Sequence, residues 1–426
     1  LPEIRSFERI NRFKLSALKK TGFTTLALNV PYAKKDPHSS LQMPLYEAVA
    51  FDFETAEQIE ASFKGEYAAH VYSRSSSPTV EHFELKMKTL TQSHAVLAVS
   101  SGMAAIADTV LAITKSGENI IAGHQLFGHT YALFNQTLTE FGLETRFVHL
   151  DNRQEIEKCI DKNTRAIYFE TVTNPQLEIA DMEMLAKIAR KHNLLLIADS
   201  TLTPPNVFSA GKWGVNIEVI SATKHISGGT GFGGIIIDHG NFDWRLNPNF
   251  SKYTEKFGAN AFIAKLRKNI YRNTGGSMAP QTAKLMIQGL DILELRVEKC
   301  YKNCMELGQF LKAHPKVKII NYPGLEDDPG FNLAEKYFEG IPGTMMSFDL
   351  ESKAACFKFM NRLKIIRRAT NLNDNKSLII HPYSTIYAEF SEKERQEAGI
   401  RDTMMRLSVG IENVEDLIAD VEQALA

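Results

Sequence analysis

The sequence predicts a mixed α/β chain: a large domain on a mostly parallel, seven-stranded sheet, then a smaller C-terminal α+β domain. Three observations predict it. Seven short apolar runs alternate with helical patterns between about residues 95 and 240, long helical stretches take over after Phe257, and strand-like runs return beyond residue 316. Alternation of that kind is the mark of helices layered on a parallel sheet.

Residues 1–70 lack this regularity and read as an N-terminal arm that packs on a neighbouring subunit. Residues 71–270 form the large domain. Its expected strands are AVLAV (95–99), ENIIAG (118–123), TRFVHL (145–150), TRAIYFE (164–170), LLLIAD (194–199), IEVISA (217–222) and GIIID (234–238). Between them, Met182–His192 puts Met182, Leu185, Ile188 and Ala189 on one face, as a helix covering a sheet requires. Residues 271–426 form the second domain, in which the segments 257–273 and 278–314 read as long helices and VKIINYP and TMMSFDL as strands.

Totals exclude several function classes. The chain has 426 residues, 44% hydrophobic and 23% charged, which is globular and too long for one ordinary domain. Lys plus Arg number 49 against 50 for Asp plus Glu, so no net charge favours nucleic acid or an anionic membrane surface. No apolar run is long enough to span a membrane, and LPEIRSFERINRFKLSALKK has no apolar core of a secretory signal, so a cytoplasmic location is expected. Cys159, Cys300, Cys304 and Cys356 are too scattered for a disulfide framework, and with no third ligand near Cys300 and Cys304 no metal is expected.

The chemistry gathers at strand ends. In AVLAVSSGMAAIADTVLAI a strand runs through Ser100-Ser101-Gly102 into a helix, which presents free amides and the positive end of the helix dipole to an anion. Taken alone this is an ordinary cap and tight turn. IADST places Asp199, and ISATKHISGG places Ser221, Thr223 and Lys224, at the carboxyl ends of two further strands, where open α/β sheets collect ligands. A lone acid or lysine there is ordinary too. Together with the glycine-rich SGGTGFGG, the set matches the needs of pyridoxal 5′-phosphate (PLP): a lysine for the imine, a carboxylate to keep the pyridine nitrogen protonated, and hydroxyls and amides for the phosphate.

From about residue 40 to its C-terminus the chain resembles the Cys/Met-metabolism family of PLP enzymes, of transferase fold type I. YSRSSSPTVEHFE (72–84) resembles the family's Tyr-x-Arg-x-x-Asn-Pro-Thr segment, with Ser77 in place of Asn, which implies that Tyr72 and Arg74 reach a neighbouring subunit's phosphate. SSGMAAI implies phosphate contacts at Gly102 and Met103. ETVTNP (170–175) implies Asn174 beside the cofactor and the substrate carboxylate, ADST implies Asp199 as pyridinium partner, and SATKHISG implies Ser221 and Thr223 on the phosphate with Lys224 as the Schiff base. MRLSVGIENVEDLIADVEQAL implies that Arg406 clamps the substrate α-carboxylate, for which a bidentate guanidinium is suited. Phe127, in QLFGHTYALF, stands at the ring-stacking position that is Tyr in methionine γ-lyase; it stacks but donates no proton. The family's Ser-Leu-Gly is here Asn371-Leu372-Asn373, and the loop NDNKSLIIHP, with Lys376, resembles the O-acetylhomoserine sulfhydrylase branch, as does the stretch from Phe257 to Glu298.

The resemblance implies an O-acetylhomoserine sulfhydrylase of methionine biosynthesis, replacing acetate by sulfide to give L-homocysteine, with Lys224 as proton carrier. Its partners would be small molecules and further copies of the chain, in a tetramer of two active-site-sharing dimers. Two other readings stand beside it: a PLP-dependent γ-lyase or cystathionine γ-synthase on a related amino acid, and a catalytically silent PLP-binding protein. His124, His129 and His225 read as structural neighbours of the site.

Overall fold

The computed structural model describes residues 21–32, 36 and 38–426. Much of the expected N-terminal arm, including the stretch read for a secretory signal, therefore lies outside the described residues. All seven expected strands are present: β1 (Ala95–Val99), β2 (Asn119–Gly123), β3 (Glu144–Val148), β4 (Thr164–Glu170), β5 (Leu195–Asp199), β6 (Ile217–Ser221) and β7 (Gly234–Asp238). They form one sheet in the order β1-β7-β6-β5-β4-β2-β3, in which only β7 runs antiparallel to its neighbours.

Helices cover both faces, so the strands are apolar on both sides. The helix Met182–Lys191 starts where the Asp181 side chain accepts from the Met184 amide, and it buries Met182, Leu185, Ile188 and Ala189. That side of the sheet shares one continuous apolar core with the C-terminal region, from Phe169 and Leu196 through Leu307 to Phe348 and Met405. The opposite side packs Ile106 and Val110 of the helix Gly102–Ile113, with Trp244, Phe250 and Phe262. At the β1 and β7 edge, Phe83 and Met87 meet Met286 and Leu290.

The smaller sheet follows the order β10-β11-β12-β9-β8 and is antiparallel except between β10 and β11. Its strands are β8 (Ile319–Asn321), β9 (Met345–Asp349), β10 (Arg367–Arg368), β11 (Leu378–Ile380) and β12 (Met404–Ser408). Two expected long helices are divided. Gly258, at φ +55°, turns the chain after Ser251–Phe257, and Leu266–Ile270 widens to a π-helical turn. Ile292 leaves helical geometry at φ −118°, which separates Pro280–Asp291 from Leu293–Ala313. The first of these packs on Pro78–Leu90, the second runs toward the smaller sheet. No helix among the described residues is long and apolar enough to cross a membrane.

Candidate active site

The carboxyl ends of β4, β5 and β6 and the start of the helix Gly102–Ile113 open on a cavity of about 790 Å³, closed from the other side by the smaller sheet. On one wall the Ser101 side chain accepts from the Ala104 amide and so caps the helix, while the first-turn amides of Gly102 and Met103 have no helical carbonyl to reach. Gly102 lies so close to β6 that a Cβ there would stand 2.7 Å from Cβ of Ser221. Ser221 and Thr223 line the same wall, the latter fixed by bonds to the Gly233 backbone. A dianion would meet amides, hydroxyls and a helix dipole here without needing a lysine.

On the adjoining wall two carboxylates sit side by side, because β4 and β5 pair Glu170 with Asp199. Both are buried. Glu170 accepts from the Phe127 amide, and burial and the Asp199 charge push it well above the carboxylate range, so Glu170 is the one that holds a proton. Burial raises Asp199 as well, but it accepts from the Thr201 amide at 3.0 Å and from Tyr168 Oη at 3.2 Å, and these bonds favour its ionised form. No cationic side chain pairs with it among the described residues. A buried carboxylate without a cation fits a protonated pyridine nitrogen, whose charge would offset its desolvation.

Lys224 faces this wall from the turn after β6. Its Nζ donates to Asn371 Oδ1 at 2.7 Å, and burial and then the nearby Arg406 push it down to about 8. Asn371 in turn donates to Asp374 at 2.8 Å. Arg406, on β12, is buried; Nη1 donates to Asn174 Oδ1 at 3.1 Å and Nη2 to the Thr370 carbonyl at 2.8 Å. Its Nε has no partner, an unmet donor on a cation that lines the cavity and suits an entering carboxylate. Asn373 has φ +50°, a left-handed conformation that Asn tolerates, which is how the chain does without the Gly of Ser-Leu-Gly.

The segment Pro382–Gly399 lies over the site as a strap with its own small apolar cluster of Tyr387, Ala398 and Ile400. Tyr387 is buried, and its hydroxyl lies 3.2 Å from the Leu126 carbonyl and 3.1 Å from that of Asn174, tying the Phe127 loop to the Asn174 loop. Tyr387→Phe leaves those carbonyls without a donor and should destabilise the chain by about 1–2 kcal/mol. A urea titration with the midpoint lowered at constant slope is the expected reading; an unmoved midpoint would sever the hydroxyl from that tie.

The structure thus brings Gly102, Met103, Phe127, Asn174, Asp199, Ser221, Thr223, Lys224, Asn371 and Arg406 to one cavity. Tyr72 and Arg74 are not brought there: both are exposed, with the Arg74 guanidinium 5.5 Å from the Tyr72 ring and donating to the Arg272 carbonyl. Sequence reasoning gave no role to Glu170, although it opens ETVTNP, nor to Tyr168, Asp374 or Tyr387, whose parts depend on neighbours distant in the chain.

Comparison with known proteins agrees with this arrangement. The family model for "Cys/Met metabolism PLP-dependent enzyme" matches residues 24–426. The chain is 38% identical to L-methionine gamma-lyase of Fusobacterium nucleatum, over 96% of this chain and 99% of that one. A Campylobacter jejuni structure containing N′-pyridoxyl-lysine-5′-monophosphate superposes with a TM-score of 0.87 at 35% identity, covering 95% of this chain and all of that one. An O-acetylhomoserine sulfhydrylase of Wolinella succinogenes gives a TM-score of 0.75 at 43% identity, covering 83% of this chain and 99% of that one.

Proposed function

From the premise that the chain belongs to the Cys/Met-metabolism family of PLP-dependent enzymes, we propose that it catalyses γ-replacement on O-acetyl-L-homoserine, exchanging acetate for sulfide to form L-homocysteine. When bound, PLP supplies an aldehyde that bonds amines and a protonated ring that takes up electrons released at carbon. Gly102, Met103, Ser221 and Thr223 would hold its phosphate, Asp199 its ring nitrogen, and Lys224 its aldehyde carbon.

The observation that carries the choice of reaction is Phe127. Its ring lines the cavity with no hydroxyl to protonate a departing thiolate. Acetate, a far weaker base, leaves without that proton. The 43% identity to a sulfhydrylase supports the same reading. Arg406 would bind the α-carboxylate through its unmet donor, with Asn174 holding the guanidinium in place. Asn371 would keep Lys224 Nζ at hand to take the proton from Cα and return it. Apolar Val172, Leu202, Leu372 and Ile386 would keep water from the reacting carbons. Tyr72 and Arg74 would serve a neighbouring copy, so that the working unit is at least a dimer.

The γ-lyase reading has its own support in the relationship to L-methionine gamma-lyase. A steady-state assay of the PLP-loaded protein on O-acetylhomoserine separates the two. Homocysteine formed only when sulfide is present is the expected result; α-ketobutyrate at a rate indifferent to sulfide would transfer the assignment to the lyase.

A further inference from the structure

His129, His/Glu/Asp/Lys/Arg groups considered together, is the member of the cavity's titratable set that the foregoing chemistry leaves unused. Its companions on the lining are Glu170, Asp199, Lys224, Asp374 and Arg406. Each of them is engaged. Glu170 accepts from the Phe127 amide, Asp199 from Tyr168 and Thr201, and Asp374 from Asn371 and the Lys376 amide. Lys224 donates to Asn371 and Arg406 to Asn174. His129 makes no hydrogen bond among the described residues, is exposed, and sets its ring edge-on against Phe127 with centroids 5.1 Å apart. Its own short helix, Gly128–Ala132, has no other charged side chain, and the strap contributes only Ile386 to the lining.

We infer that His129 is the base that takes the S–H proton from the sulfur nucleophile as it bonds Cγ, an inference that rests on the γ-replacement reading. An imidazole with a free nitrogen at the cavity wall can receive a proton and release it to water near neutral pH. The balance is that of a substitution. The Cγ–O pair leaves with acetate, a sulfur lone pair makes the Cγ–S bond, and the S–H proton passes to the imidazole and then to water. Nothing is oxidised. The ring wall of Phe127 places this imidazole beside the one aromatic surface that the reacting side chain must pass, and no Tyr or Cys lines the cavity to compete for the proton.

The test uses PLP-loaded enzyme and its His129→Asn variant, with sulfide as nucleophile, across pH 5.5 to 9. A base must be neutral to act, so the rate of the parent falls as pH is lowered. The variant should lose about 100-fold or more in kcat and lose that acid limb, while its cofactor absorbance and its binding of an unreactive amino acid, read from that absorbance, stay within about threefold. Rates within threefold of the parent with the acid limb intact overturn the inference and leave the γ-replacement reading standing. An alkaline limb that disappears with His129 overturns it too, since that is the signature of an acid protonating a leaving group. Parent enzyme that forms α-ketobutyrate regardless of sulfide removes the reading and the base together. Should His129→Asn fail to hold the cofactor, His129→Ala with added imidazole replaces it: rescue of the sulfide reaction supports the base, and a cofactor-loaded variant that imidazole does not rescue overturns it.

Discussion

Lys224→Met is expected to lose homocysteine synthesis by more than about 10³-fold, because the side chain is both the attachment amine and the proton carrier at Cα. The structure explains why this lysine suits both tasks. Burial, followed by the charge of Arg406, lowers Nζ from the ordinary 10.5 to about 8, against a weaker pull upward from Asp374. At pH 7 roughly one chain in ten then has a neutral amine, against a few in ten thousand for an unperturbed lysine. The same shift has a thermodynamic consequence with a definite sign. Between pH 8 and 10.5 the unfolded chain keeps a proton on this amine that the folded chain has lost, so the lysine's contribution to stability rises with pH through that window and is at its least favourable below it. Without cofactor, Lys224→Met, which keeps the stem and removes the charge, should therefore be more stable than the parent at pH 7 by on the order of 2 kcal/mol, with the gap closing toward pH 10.5. Urea melts at the two pH values measure it. A variant that is inactive but also less stable at pH 7 would mean that Lys224 is held by its structural bond to Asn371 more than it is penalised by burial.

How far the sequence could be read follows from where each residue's partners lie. β4, β5 and β6 are buried on both faces, so their apolar runs stand out and the strand ends that bear Asp199 and Lys224 could be found by inspection. β12 could not: its run MMRLS is broken by Arg406, a buried cation whose place is paid for by bonds to Asn174 and to the Thr370 and Asn371 carbonyls, none of them near in sequence. β10 is two exposed arginines and has no pattern at all. The break at Ile292 has neither Gly nor Pro to announce it. Within the site, the motif ETVTNP pointed to Asn174, but the pairing of Glu170 with Asp199 is a matter of register between β4 and β5. His129 looked like a loop residue because nothing in GHTYA tells which way an imidazole faces; only the fold sets it on the cavity beside Phe127. Asn371 and Asn373 departed from the resembled pattern, and their geometry accounts for both, one as the acceptor for Lys224 Nζ and the other as a non-glycine residue at positive φ.

Asp199→Asn should separate function from stability in opposite directions. Asparagine keeps the volume and can still accept from the Thr201 amide, but it brings no negative charge to a pyridine nitrogen, so kcat/KM on O-acetylhomoserine should fall by about 10²–10⁴-fold. Stability without cofactor should move the other way. Burial raises the Asp199 carboxyl, which means that between the ordinary 3.8 and its raised value the folded chain holds a proton that the unfolded chain has released. Stability therefore falls as pH rises through that interval, and above it the buried carboxylate imposes its full penalty, with the neighbouring Glu170 and Glu218 giving no relief. Removing the charge at pH 7 should raise the unfolding midpoint of the cofactor-free chain, by about 1 kcal/mol once the weaker bond to Tyr168 is allowed for. With PLP bound, the order should reverse, because the parent gains an ion pair that the variant cannot form. Paired urea melts with and without PLP, run beside the kinetics, measure all three changes. A variant that is destabilised in both states would identify Asp199 as a structural anchor for Tyr168 and Thr201; one that is stabilised without PLP and inactive with it would identify a carboxylate kept in the core at a cost for the cation it is there to meet.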